Sequence, residues 1–132
     1  MQKIKELYFT SKGRIGRKSF ILGGLGLLFS YILVFGLVLI TDAKLQNSQS
    51  QSSFGISFLL GILLLISLIM FLIAFVNLYV KRFHDIDLSG WFILAVFLPY
   101  IGYLVTLIIA FIPGTQGENR FGDDPIERAK NA

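Results

Sequence analysis

Three long stretches of the chain contain no Asp, Glu, Lys, Arg or His side chain. They cover residues 20–40, 54–80 and 91–112. A helix rises about 1.5 Å per residue and the hydrocarbon core of a bilayer is about 30 Å thick, so each stretch is long enough to cross it. The pattern predicts an all-α integral membrane protein of one domain, residues 1–132, with three transmembrane helices: TM1 (20–40), TM2 (54–80) and TM3 (91–112).

The polar segments between these stretches predict the topology. The first 18 residues hold six Lys or Arg side chains and one acid, Glu6, so the positive-inside rule predicts a cytoplasmic basic arm at residues 1–19. This topogenic role accounts for the charge without a nucleic-acid partner. Three crossings then predict an external polar loop at 41–53, a cytoplasmic loop at 81–90 and an external, turn-rich tail at 113–132.

The composition agrees with a membrane location. Hydrophobic residues make up 55% of the chain and charged residues 15%, whereas about a quarter of the residues in soluble proteins are charged. The chain has no Cys, so it can form no disulfide, thiol nucleophile or thiolate metal site. The sequence predicts no cofactor, no metal and no catalytic residue.

Pro99 lies near the middle of predicted TM3, and proline removes a backbone donor inside a helix. We therefore predict a kink there. A sharper break would turn the stretch into a re-entrant hairpin, which is tolerated only where neighbouring helices cover its backbone. Two full crossings are excluded because 22 residues rise only about 33 Å.

Three motifs lie just outside the apolar stretches, at residues 13–20 (GRIGRKSF), 81–91 (KRFHDIDLSGW) and 113–125 (PGTQGENRFGDDP). In order and spacing they resemble the family of small bacterial inner-membrane proteins known as domain of unknown function 805. The resemblance covers about residues 8–125. It implies a multi-pass protein of the bacterial plasma (inner) membrane with an unassigned activity and no established catalytic residues.

The motifs supply the candidate site residues. Those that could contact lipid headgroups or a partner are Arg14, Arg17, Arg82, His84, Asp85, Asn119 and Arg120. Trp91 is the expected interface anchor. In the first motif, the two arginines either set topology and snorkel at the headgroup level or bind anionic lipid phosphates.

The second motif has two interpretations. Arg82 and Asp85 pair in a tight turn, with Asp87 or Ser89 capping the next helix, or His84 joins them in a proton-handling or headgroup-binding cluster. One His and two carboxylates fall short of a closed zinc site.

The third motif is rich in turn residues. We expect Asn119 and Arg120 to tie the tail to the helix ends by hydrogen bonds. Its three acids could hold calcium, but their spacing is not that of an EF-hand.

The preferred function is a non-enzymatic structural or regulatory subunit that packs with another membrane protein or with itself. A small transporter or export accessory is the alternative, although such pathways usually carry ionisable residues inside the spans. The polar side chains available within the bilayer are Ser30, Ser57, Ser67, Asn77 and Thr106. A lipid-modifying enzyme using Arg82, His84 and Asp85 is a weaker third hypothesis.

Overall fold

A computed structural model describes residues 7–47 and 53–130 of the chain. After a helical turn at residues 7–9, the elements are α1 (Arg17–Asn47), α2 (Ser53–Asp85), a 3-10 turn (Gly90–Phe92), α3 (Ile93–Val96), α4 (Ile101–Phe111) and α5 (Pro125–Lys130). The described residues contain no β-strand, only an isolated bridge between Asn119 and Gly122. The all-α prediction is therefore confirmed.

Helices α1 and α2 are long and apolar enough to span a membrane. They contain 31 and 33 residues, which corresponds to a rise of about 45–50 Å each. Only 11% and 6% of the residues in their most apolar 18-residue windows are buried within the protein, so neither is the core helix of a soluble domain. Their Leu, Ile and Phe side chains point outward, as expected of lipid-facing helices.

Both helices extend beyond their apolar stretches. α1 continues to Asn47, so most of the predicted loop 41–53 is helical, and residues 48–52 lie outside the described residues. Gln46 Nε2 donates to Asp42 Oδ2 at 2.6 Å, and Lys44 lies in the last turn, where a cation complements the helix dipole. The polar composition of residues 41–47 therefore does not mark the end of the helix.

The predicted TM3 is not one continuous helix. The 3-10 turn and α3 end at Val96, a turn follows at residues 97–100, and α4 has 11 residues. At about 1.5 Å per residue α4 rises about 16 Å, roughly half of the bilayer core. A third full span is not confirmed.

The interruption at residues 97–100 is a turn between two helices, so the predicted kink at Pro99 is not confirmed. Pro99 lies inside this turn, and Tyr100 adopts a left-handed φ of +64°. Gly102 N donates to Leu98 O at 2.8 Å. A Cβ atom on Gly102 would lie 1.9 Å from the carbonyl oxygen of Val96, so only glycine permits this approach.

The chain forms two compact units. The described residues of the second unit, 26–47 and 53–72, are the adjoining parts of α1 and α2, where Tyr31 and Phe71 pack with ring centroids 4.7 Å apart. The described residues of the first unit are 7–25 and 73–130, and all three sequence motifs belong to it.

The core of the first unit joins the arm, the end of α2 and the α3–α4 segment. Its buried members are Ile15, Phe20, Leu78, Tyr79, Phe83, Ile93, Ile109 and Ala110. Phe20 meets Tyr79 edge-on with ring centroids 5.1 Å apart. A Cβ on Gly23 would come within 3.1 Å of Leu78, so the small residue allows α1 to approach α2 closely here.

Candidate functional site

Asp85 lies at the centre of a buried charged cluster that we call the latch: Arg14, Arg82 and Asp85. Its carboxylate is 4% exposed, and both arginine side chains are fully buried. Arg14 Nε donates to Asp85 Oδ1 at 3.3 Å, and Arg82 Nη1 donates to Asp85 Oδ2. The predicted Arg82–Asp85 pair is confirmed, and Arg14 joins it from 71 residues away.

Arg14 also binds the tail. Its Nη1 donates to Gly117 O at 2.6 Å and to Gly122 O at 3.1 Å, and its Nη2 donates to Thr115 O. A guanidinium presents five N–H donors in a fixed fork, which suits several carbonyls at once. Arg14 thereby fixes the path of the tail through three of its carbonyls.

Arg82 likewise binds several backbone carbonyls, in this case at the end of α4. Its Nε donates to Ile109 O at 2.7 Å, its Nη2 to Ile112 O, and its Nη1 also lies 3.5 Å from Ile15 O. The last carbonyls of a helix have no partner within it. Arg82 therefore acts as a C-terminal cap for α4.

The beginning of the tail returns to the end of α2. Thr115 donates to Asp85 O through its backbone N at 2.8 Å, and Asn119 Nδ2 donates to His84 O at 2.9 Å. A Cβ on Gly114 would lie 2.2 Å from Asp85 Oδ2. The predicted role of Asn119 in tying the tail to a helix end is confirmed.

These contacts bring the basic arm, the segment after α2 and the tail together at one end of the first unit. The expectation that the tail at 113–132 lies across the membrane from the arm stays a prediction, because the contacts alone do not give the position of either segment relative to a bilayer.

A second, partly exposed group of residues flanks the latch. The His84 ring stacks on Phe121 with ring centroids 3.8 Å apart, and the Arg120 guanidinium lies 4.8 Å from the centroid of the same Phe121 ring. Arg120 Nε pairs with Asp87 Oδ1 at 3.0 Å, with both side chains about half exposed. Arg120 ties the tail to Asp87, two residues after the end of α2, and not to the helix end that was predicted.

The predicted capping by Asp87 or Ser89 is wrong. Ser89 precedes the 3-10 turn but makes no side-chain capping hydrogen bond, and Asp87 has a φ of +58° and pairs with Arg120. Trp91, in the same turn, is 78% exposed. Its role as an interface anchor stays a prediction.

Asp124 organises the far end of the tail. Its carboxylate accepts from Ile126 N at 2.8 Å and from Gly117 N at 3.3 Å. The hydrogen bond from Ile126 N makes the largest contribution to lowering the pKa of Asp124, and that from Gly117 N lowers it further. Desolvation opposes this shift. Asp124 followed by Pro125, with Glu127 three residues after the aspartate, is a recognisable start signal for a helix, here α5.

The comparisons with known proteins identify the family. The family model described as "Protein of unknown function (DUF805)" matches residues 8–123. The chain belongs to this family. The match includes all three members of the latch and nearly the whole tail motif.

Two curated relatives from Escherichia coli K12 share a shorter segment with this DUF805 chain. Inner membrane protein YhaI is 48% identical over 48 residues, which is 36% of this chain and 41% of YhaI. Inner membrane protein YhaH is 47% identical over 45 residues, 34% of this chain and 37% of YhaH. The match thus spans about two fifths of each relative. No solved structure matches the chain.

The structure divides the predicted site residues of this DUF805 protein into two groups. Arg14, Arg82 and Asp85 are buried and bonded to the chain itself. Arg17 forms no hydrogen bond with the latch residues; it is exposed and donates one long hydrogen bond of 3.3 Å to Phe111 O. Among the described residues, no three His, Asp or Glu side chains are grouped so as to hold a metal ion.

Sequence reasoning missed Gly114, Thr115, Gly117 and Gly122, which provide the carbonyls and the close approach around the latch. Gly117 and Gly122 adopt φ values of +71° and +123°. The density of glycine in the tail motif indicated turns, but nothing in the sequence indicated that the turns face an arginine of the arm.

Proposed function

We propose that the protein is a non-enzymatic, multi-pass inner-membrane protein that serves as a structural or regulatory subunit, packing with another membrane protein or with itself. The observation that carries this proposal is the latch. Its charged groups bind one another and backbone carbonyls of the same chain.

A catalytic acid, base or nucleophile must reach a substrate atom. Arg14, Arg82 and Asp85 are too buried for that, and their hydrogen-bonding groups already serve the fold. This argues against the lipid-modifying enzyme and against headgroup binding by the latch. A buried charge cluster of this kind instead favours one specific arrangement of the segments that it joins.

For the topology, we propose that residues 91–112 form a re-entrant hairpin and that the arm and the tail are both cytoplasmic. The basic arm supports the cytoplasmic side, and the contacts of Arg14 bring the tail to the arm. The names of YhaI and YhaH support the inner membrane.

For the partner surface, we propose the apolar faces of α1 and α2 in residues 26–72. A Cβ on Gly36, Gly55 or Gly61 would meet nothing within 4 Å, so these small residues do not serve packing inside the chain. Small residues in membrane helices let a neighbouring helix approach closely. A second membrane protein, or a second copy, would provide that helix.

Mass measurement of the protein extracted in native lipid nanodiscs tests the subunit role. We expect one defined complex, either a homo-oligomer or a fixed ratio with one partner, and Gly61→Leu should dissociate it. Ile62→Leu, at an exposed neighbouring position, is the matched control and should leave it intact. A single chain per disc at every protein concentration would contradict the proposal.

The transporter alternative gains no support from the polar residues in the helices. Asn77 Nδ2 donates to Tyr8 O at 2.8 Å, and Ser30 and Ser67 each donate to a carbonyl of their own helix at 2.8 Å. Solute flux in proteoliposomes containing the wild-type protein would support the transporter alternative if the flux disappears in Asn77→Leu while the helical circular dichroism is unchanged.

A further inference from the structure

We infer that the first unit has a binding site for one anionic phospholipid, in the cleft between the start of α1, the end of α4 and the start of α5. The inference is independent of the proposed subunit role, which requires no lipid. It rests on the size of the cleft, the distribution of charge in its lining and the apolar surface beside it.

The cleft has a volume of about 660 Å³. Volumes of about 300–1,000 Å³ are typical of sites for small ligands. Its polar lining comes from Arg17, Lys18 and Ser19, and no carboxylate lines it. A ligand with a negative charge therefore fits the cleft better than a neutral or cationic one.

The charges of the two cations in the cleft are not neutralised by acidic side chains of the described residues. Arg17 and Lys18 are exposed, and neither forms an ion pair with any other residue in the part of the chain that the structure describes. Both lie in the first turn of α1, where the helix dipole adds positive potential. Arg14, by contrast, is committed to the latch, so the two arginines of the first motif have different roles.

The apolar lining indicates a lipid in preference to a free phosphate. Ile21, Phe111 and Ile126 border the cleft, and Phe111 is 70% exposed. In the bilayer, such side chains contact acyl chains, while the cations of the same cleft meet a phosphodiester. Basic pockets at the cytoplasmic ends of membrane helices commonly recognise anionic headgroups in this way.

The test is a lipid titration of the full-length, delipidated protein in a neutral detergent, read by native mass spectrometry. The ligands are dioleoyl phosphatidylglycerol, dioleoyl phosphatidylcholine and glycerol 1-phosphate. We expect one phosphatidylglycerol to bind at least about tenfold more tightly than phosphatidylcholine, since each basic residue near a lipid surface contributes appreciably. Glycerol 1-phosphate should bind weakly because it lacks the acyl chains.

Three double variants distinguish lipid binding in the cleft from a general effect of the protein's positive charge. Arg17→Gln with Lys18→Gln should remove the preference for phosphatidylglycerol. Lys12→Gln with Lys44→Gln removes the same charge at exposed positions outside the cleft and should keep it. Arg17→Lys with Lys18→Arg keeps both charges and should also keep the preference, which excludes misfolding as the cause of a loss.

Three results would overturn the inference. The first is equal affinity of the wild-type protein for the two phospholipids. The second is an equal loss in both double glutamine variants, which would show a diffuse charge effect. The third is binding of glycerol 1-phosphate as tight as that of phosphatidylglycerol, which would show an anion site without a lipid.

Discussion

Thr115 and Asp85 are joined by two hydrogen bonds, from the backbone N of Thr115 at 2.8 Å and from its Oγ1 at 3.1 Å, both to the carbonyl oxygen of Asp85. Thr115, the third residue of the tail, is thus attached to Asp85, the last residue of α2. The carboxylate of the same Asp85 holds two arginines. One residue therefore joins the arm, the end of α2 and the tail.

Asp85→Asn should destabilise the protein by about 3–5 kcal/mol, because it leaves two buried guanidinium groups without a counter-ion. Asp87→Asn is the matched control, since Asp87 pairs with Arg120 at the surface, and it should cost less than about 1 kcal/mol. Unfolding in mixed detergent micelles, followed by circular dichroism, measures both. Equal effects would show that the latch contributes nothing beyond a surface pair.

Gly102→Ala should disrupt the turn between α3 and α4, because the new Cβ would overlap the Val96 carbonyl. We expect a loss of about 1–3 kcal/mol, typical of overpacking. Gly36→Ala, at a helical position with open space around it, should be neutral or slightly stabilising. The same unfolding assay compares them, and an unchanged Gly102→Ala protein would argue against a hairpin at residues 91–112.

The proposed topology predicts the accessibility of single cysteines in this chain without native Cys. Ser11→Cys in the arm and Glu118→Cys in the tail, both at exposed positions, should react with an impermeant thiol reagent only after the cells are permeabilised. Asn47→Cys, at the other end of α1, should react in intact cells. Labelling of Glu118→Cys in intact cells would instead support a third full span.

Acid should loosen the tail through Asp124. Its pKa is lowered in the folded protein, so the carboxylate stabilises the fold above its unfolded pKa, near 3.8, and this contribution is lost as the pH falls through the lower folded value. A ¹³C NMR titration of labelled aspartates should show one carboxyl with a pKa below 3.8 that disappears in Asp124→Asn. A pKa at or above 3.8 for that carboxyl would contradict the hydrogen bonds described.

The sequence by itself determined that this is a membrane protein, that it has two long apolar helices, and which charged residues of the three motifs to examine. Helices α1 and α2 follow from stretches of apolar residues, because length and hydrophobicity alone decide whether a segment can cross a bilayer. The pairing of Arg82 with Asp85 was predictable as well, since residues three apart share a helix face.

Only the tertiary structure showed that residues 91–112 hold two short helices joined by a turn and that the tail contacts the arm and the end of α2. An apolar stretch of 22 residues suits a span or a hairpin, and its composition does not reveal that Gly102 packs against Val96 or that Arg82 caps α4. Arg14 lies 71 residues from Asp85, so no local spacing reveals their contact. Long-range contacts of this kind depend on the whole fold. A single sequence therefore identifies the residues of the latch but does not predict that Arg14 contacts Asp85.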